Sequence, residues 1–422
     1  MAEPVGLLLR RATFGPTSAE LAAARRAGYA ATVAALTAPA GTDRGAASAP
    51  LPNLGLDSYA SLPRPTDAQR ATADARRRNQ YRDIVLWWLD RMTVADRQLT
   101  EKLLFFWHGH WATSIDKVMS PQLMLRQHRT LRDVPDFVAM ARAMVQDPAL
   151  VYSLDGHTNT STAPNENLAR ELMELFVLGI GNYTEQDVKQ AGRALTGWYV
   201  NLGREAAALD PAVRDPGTKT ILGRTADFTA RGLIDHLLQQ PACPRFIASR
   251  LWYRFASTGT PMPASTGAKM VAAFPAPERM LRALFEDGAF QDTAWQQVKQ
   301  PVEWLVGALR QLRVRPADFT PGDYVAVVTG LRRLGQVPFM PPSVGGWPAG
   351  PAWLTSATAS ARLTLAGYLA QLAPAVPTST EALAQLLAVD TWSDRTYAAL
   401  RDAGDPRTML TLGLSSPEYL VG

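Results

Sequence analysis

DGHTNTSTAPNENLARELMELFVLGIGNYTEQDVKQAGRALTGW, residues 155–198, decides the fold class because it reads as two helices joined by a tight turn. Pro164 precedes Asn165, whose side-chain carbonyl can accept one of the free amides of a first helical turn. Glu166 then favours the positive end of that helix. Leu168, Leu172, Leu175 and Phe176 recur at the spacing of a buried stripe, and Gly179 supplies a left-handed stop. A helix of about three to four turns is expected. Thr184 followed by Asp187 resembles a capping box, and the helix it opens should run through Val188, Ala191 and Leu195 to Gly197. The pair makes a helical hairpin, with Arg193 and Trp198 available to cover the polar end of its first helix.

Polar residues concentrate on that first helix. Asn167, Glu171 and Glu174 fall on neighbouring positions of one face, and Glu166, Arg170 and Glu174 form a second row. Solvated pairing of Arg170 with Glu166 and Glu174 accounts for the second row. Glu171 fits that account less well, because Ala169, Leu172, Met173 and Leu175 leave little of the helix clearly wet. A carboxylate enclosed by such neighbours needs charge pairing, protonation or a metal.

Helical periodicity dominates outward from this stretch, near Thr72 to Arg91, Arg97 to Trp107, Pro121 to Arg129, and again from Ala230 to the end. Residues 39–69 lose periodicity and gain Gly, Ala, Ser and Pro, as a surface loop or wrapping arm does. Tyr199 to Ala230 is the main irregular insertion and holds the one candidate β-hairpin. The expected fold is all-α, a large multi-helix globular bundle with long loops and one short β-hairpin. It reads either as one unit over 1–422 or as two interlocked helical lobes, about 1–198 and 230–422, joined by 199–229.

With 422 residues the chain can bury a core without disulfide or metal. Its single cysteine, Cys243, excludes an internal disulfide and any cysteine metal cluster, and reads as a small buried residue at a helix start. A net charge of +5 is weak support for nucleic-acid binding, and no Gly-rich phosphate loop is present. No stretch reaches bilayer-spanning length. Leu7, Leu8 and Leu9 are followed at once by Arg10 and Arg11, so the sequence as given reads as cytoplasmic, or as exported if a leader has been removed.

EKLLFFWHGHW, residues 101–111, holds two of the five histidines. His108 and His110 could share a divalent metal if the helix opens near Gly109, with Glu171, Glu174 or Asp155 as a third ligand. Glu171, His108 and Asp155 are therefore the catalytic candidates, and His108, His110 and Glu171 the metal candidates. His128 is expected either to face the same pocket or to cap local backbone groups, His157 is a further polar candidate for that pocket, and His236 reads as an ordinary helix residue. Asn165, Asn167, Arg170, Glu174, Arg193, Trp198 and Lys219 are the substrate-binding candidates, Lys219 from a tight turn with Asp215 and Gly217 that is either a surface ion pair or a lid. Trp347 and Trp353, in a Pro- and Gly-rich loop, read first as buried rings and second as a groove for a sugar. Two functions follow: a metal-assisted, hydrolase-like enzyme acting on a polar small molecule or glycan, and a noncatalytic protein- or glycan-binding assembly protein.

LLRRATFG at 8–15, EKLLFFWHGHW at 101–111, DPALVYSLD at 147–155, and PNENLARELMELF from 164 through LTGW ending at 198 occur in order. DPGTKTILG at 215–223, KQPVEWLVGALR at 299–310, PPSVGGWPAGPAWL at 341–354 and SSPEYL at 415–420 follow. Together they resemble the bacterial family called domain of unknown function 1800. The resemblance implies a mostly helical protein, often exported and often encoded beside another uncharacterised family, with no established reaction. It also places Phe176, Arg214 and Gln240 where the family commonly carries histidine.

Overall fold

The helix Gln98–His110 is buried on nearly every side, at Gln98 and Leu99, from Glu101 through His108 and again at His110. A helix apolar or ion-paired all round belongs in the middle of a bundle, and here it packs against Asp67–Val94 and Pro121–Asp133. The computed structural model describes residues 3–293 and 297–421. Asp67–Val94 opens on a capping box in which Thr66 and Gln69 satisfy each other's backbone amides. Pro121–Asp133 begins with Ser120 as cap and proline in its first turn, where a missing amide costs nothing.

The C-terminal part is built from Pro301–Leu312, Pro321–Leu334, Ser356–Leu372 and Pro406–Ser415, with Ser356–Leu372 packed on both of its last-named neighbours. One continuous set of buried side chains runs from Leu7 and Leu8 through Phe105, Phe176, Leu251 and Trp304 to Leu414 and Leu420. Several carboxylates are buried, among them Glu101 and Glu303. Glu101 receives Arg132 at 2.7 and 2.8 Å and Arg91 at 3.0 Å. Glu303 receives Lys102 at 2.6 Å and Arg254 at 3.0 Å. Although burial opposes it, Arg254 and Lys102 hold the Glu303 carboxyl well below its ordinary range.

The mostly helical expectation stands, with one addition. Residues 198–226 form two antiparallel hairpins, Trp198–Asn201 with Ala206–Leu209 and Lys219–Ile221 with Arg224–Ala226. The first was hidden because Ala206, Ala207 and Ala208 carry no strand signature. The arm over 39–69 contains the single helical turn Arg44–Ala47 and is anchored by the buried Asp57, which pairs with Arg77 at 2.5 Å. Among the described residues, no helix is long and apolar enough to cross a membrane.

Candidate functional site

The first helix of the 155–198 hairpin is not a regular α-helix. Asn167–Glu171 is α-helical, and Leu172–Val177 widens into a π-helical turn in which the Leu178 amide reaches back to Met173. Such turns are rare and often sit at functional sites, since they push side chains out of helical register. The Asn165 side chain does accept the Asn167 amide at 2.9 Å, but from one residue outside the N-cap position, which Glu166 occupies without a side-chain bond. Gly179 ends the segment with φ +83°. Thr184 and Asp187 form a reciprocal capping box on Glu185–Ala194.

The polar partners differ from expectation. Arg170 makes a two-pronged pair with Glu185, at 2.7 and 2.8 Å, and a longer contact with Glu166, but none with Glu174. The turn brings Glu185 alongside, and a parallel pair of charged hydrogen bonds outcompetes a neighbour on the same helix. Glu174 is held instead by the Tyr183 hydroxyl at 2.8 Å. Glu171 is half-buried, and its carboxyl is pushed up first by burial and then by the charge on Glu174. Arg193 turns away from the helix to bind Asp215 at 2.7 Å, and Trp198 begins the first strand. Lys219 is not on a lid: its side chain is fully buried and pairs with Asp227 at 3.0 Å. Asp155 pairs with Lys117 at 2.9 Å and meets Asn167 at 3.5 Å, and Asn167 in turn donates its amide to Asn165, so these three expected site residues adjoin.

His108 and His110 do not converge. The helix runs unbroken through Gly109 to His110, so side chains two residues apart point about 200° from each other. His108 Nε2 accepts the Phe339 amide at 3.1 Å among Trp88, Phe339 and Trp347. His110 Nε2 faces the Phe176 carbonyl at 2.9 Å. Among the described residues no three His, Cys, Asp or Glu side chains stand close enough to hold an ion together, so His108, His110 and Glu171 are not one ligand set. Phe176, where the family resemblance expects histidine, places an apolar ring 6.1 Å from that of His110. His128 packs its ring on Trp88, and His157 stacks on Tyr152 with ring centres 4.4 Å apart. His236 bonds the Ile221 carbonyl, and Cys243 is buried at the start of Ala242–Phe255.

What the hairpin does border is a cleft of about 420 Å³ between the π-turn, the helix Ala242–Phe255 and the loop at Val344 and Gly345. Its walls include His110, Glu174, Asn182, Phe246, Ser249 and Arg250. A narrower recess, lined by Phe105, Gly109, Tyr253 and Trp347, continues on the other side of Arg250. Two glycines let the loop close that recess. Gly346 has φ +81°, and a Cβ there would collide with the Gly109 carbonyl oxygen. Trp347 thereby stacks on Phe105, 5.6 Å between ring centres and 20° between planes. Trp353 is buried, as expected.

Arg250 is the residue sequence reasoning missed. Among the described residues it has no ion pair, its Nε is buried without a hydrogen-bond partner, and burial pushes its guanidinium pKa down. Its helix carries Arg245, Arg250 and Arg254 with no acidic residue. That imbalance, with Phe246 and Ile247 one turn before Arg250, was the available signal. His110 has a matching shortfall, since its Nδ1 is buried without a partner.

A family model described as protein of unknown function, DUF1800, matches residues 7–421. No curated protein matches the chain, and no solved structure does.

Proposed function

The chain belongs to the DUF1800 family over nearly its whole length, and since that description carries no activity, we propose from its own cleft that it is a hydrolase-like enzyme acting on a small polar substrate. The observation that carries the reading is one space of about 420 Å³ walled by both a carboxylate, Glu174, and a guanidinium without an ion pair, Arg250. Tyr183 donates to one oxygen of Glu174, which orients the carboxylate and leaves its other oxygen able to accept a proton from a water beside the substrate. Arg250 is the group available to offset negative charge developing on the substrate, in a partly desolvated place where charge interactions are strengthened. Glu171, whose carboxyl is raised, lies three residues before Glu174 on the same segment and can return a proton. The ligand set expected from sequence is not assembled, so the chemistry is placed on Glu174 and Arg250.

Turnover of a panel of 4-nitrophenyl esters, phosphates and glycosides by the wild type and Glu174→Gln tests this. A loss of about 10²- to 10⁴-fold is expected for removal of a general base. Turnover by Glu174→Gln equal to wild type on every substrate turned over, or no turnover on any of them, overturns the reading.

A further inference from the structure

The hydrogen bond between His110 and Phe176 fixes what the cleft lacks. A carbonyl oxygen only accepts, so the ring nitrogen 2.9 Å from it must donate, and Nε2 carries the hydrogen. Burial, and then the nearby charge of Arg250, keep the imidazole neutral by lowering its pKa to about 3. Nδ1 is therefore an acceptor, and no donor in the described protein reaches it. His110 is only 2% exposed, and it lines the cleft together with Arg250. Two residues that wall the same cleft are thus each short of a partner: Arg250 of negative charge, and His110 Nδ1 of a hydrogen-bond donor. A buried polar group left without its partner costs free energy, so a ligand that supplies both is preferred over one that supplies either.

We propose that the cleft recognises a small oxyanion carrying its own hydroxyl or acid hydrogen, with the anionic oxygens held by Arg250 and the O–H donated to His110 Nδ1. Hydrogen phosphate, a singly protonated phosphate monoester and a 2-hydroxycarboxylate share this chemistry. Sulfate and simple carboxylates do not, because at neutral pH they have charge but no hydrogen to give. The guanidinium suits such oxygens because its planar fork binds two at a time. The inference rests on the reading of this cleft as the ligand site and names the class of substrate it admits.

The discrimination is tested on the ligand, so it needs no variant of the buried His110. Calorimetric titration of the full chain at pH 7 with inorganic phosphate against sulfate, and with glycolate against acetate, should show the O–H-bearing member of at least one pair binding at least about tenfold tighter, since sites built to bond a hydroxyl reject analogues without it. The pair that discriminates tells a phosphate from a hydroxycarboxylate source. Arg250→Met should weaken that ligand at least about tenfold. Equal affinities within both pairs, or wild-type affinity in Arg250→Met, overturn the inference. Absent oxyanion binding with Glu174-dependent turnover of a neutral ester overturns it and leaves the acid–base proposal standing. Selective binding without Glu174-dependent turnover does the reverse.

Discussion

Asp147 shows how one residue's surroundings set its chemistry. It caps Pro148–Ser153 by accepting from the Leu150 amide at 2.9 Å, and it also accepts from Gln127 at 3.1 Å. Burial nevertheless raises its carboxyl to about 6, against an ordinary 3.8. The folded protein holds this proton more tightly than the unfolded chain, so Asp147 adds stability as pH falls from about 6 to about 4 and costs stability above. The contribution is at most about 3 kcal/mol. Asp147→Asn keeps the cap and removes the titration, so the difference in urea midpoint between variant and wild type should narrow from pH 7 to pH 4; a constant difference would refute it. At this scale the sequence was legible where chemistry is local. Thr184 caps its helix as its type and spacing predict, Asn165 accepts the Asn167 amide, and Cys243 is buried at a helix start. Arg250 was legible only in part: the absence of acidic residues on its helix is visible, but its lack of an ion pair depends on what other elements bring near it.

Among the elements, the π-turn and its glycine stop shape the cleft. At Gly179 an added Cβ would meet φ +83° and lie 2.7 Å from the Phe246 ring, which is a cleft wall. Gly181 has a similar φ, +85°, but open space around it. Gly181→Ala should therefore cost only the left-handed strain, about 1 to 2 kcal/mol. Gly179→Ala should cost more and also weaken binding of the selected oxyanion, phosphate or glycolate, through displacement of Phe246. Calorimetric unfolding and titration of the two variants with that oxyanion check this, and equal losses at both sites would contradict it. The apolar stripe from Leu168 to Phe176 predicted a helix but not its widening, because the pattern of a single turn cannot tell a period of 3.6 from a slightly larger one.

For the whole molecule, the interior depends on charges far apart in the sequence, from Lys102 to Glu303. Glu303 joins Lys102 and Arg254, from three separate helices, inside one apolar core. Glu303→Leu leaves two cations buried without their carboxylate and should cost about 3 to 5 kcal/mol in urea unfolding; a loss under about 1 kcal/mol would show that the three do not act together. By itself the sequence determined the helical class, the Thr184 capping box, the Gly179 stop, the family and the two-helix course of the 155–198 stretch, because these follow from residue types within one or two turns of each other, although the second helix ends at Ala194, short of the expected Gly197. Tertiary structure alone decided that His108 and His110 face apart, that Glu185 takes Arg170, and that Glu174, Arg250 and His110 share a cleft. Those outcomes turn on which of several eligible partners comes within about 3 Å, and that distance is fixed by the packing of helices remote in the chain.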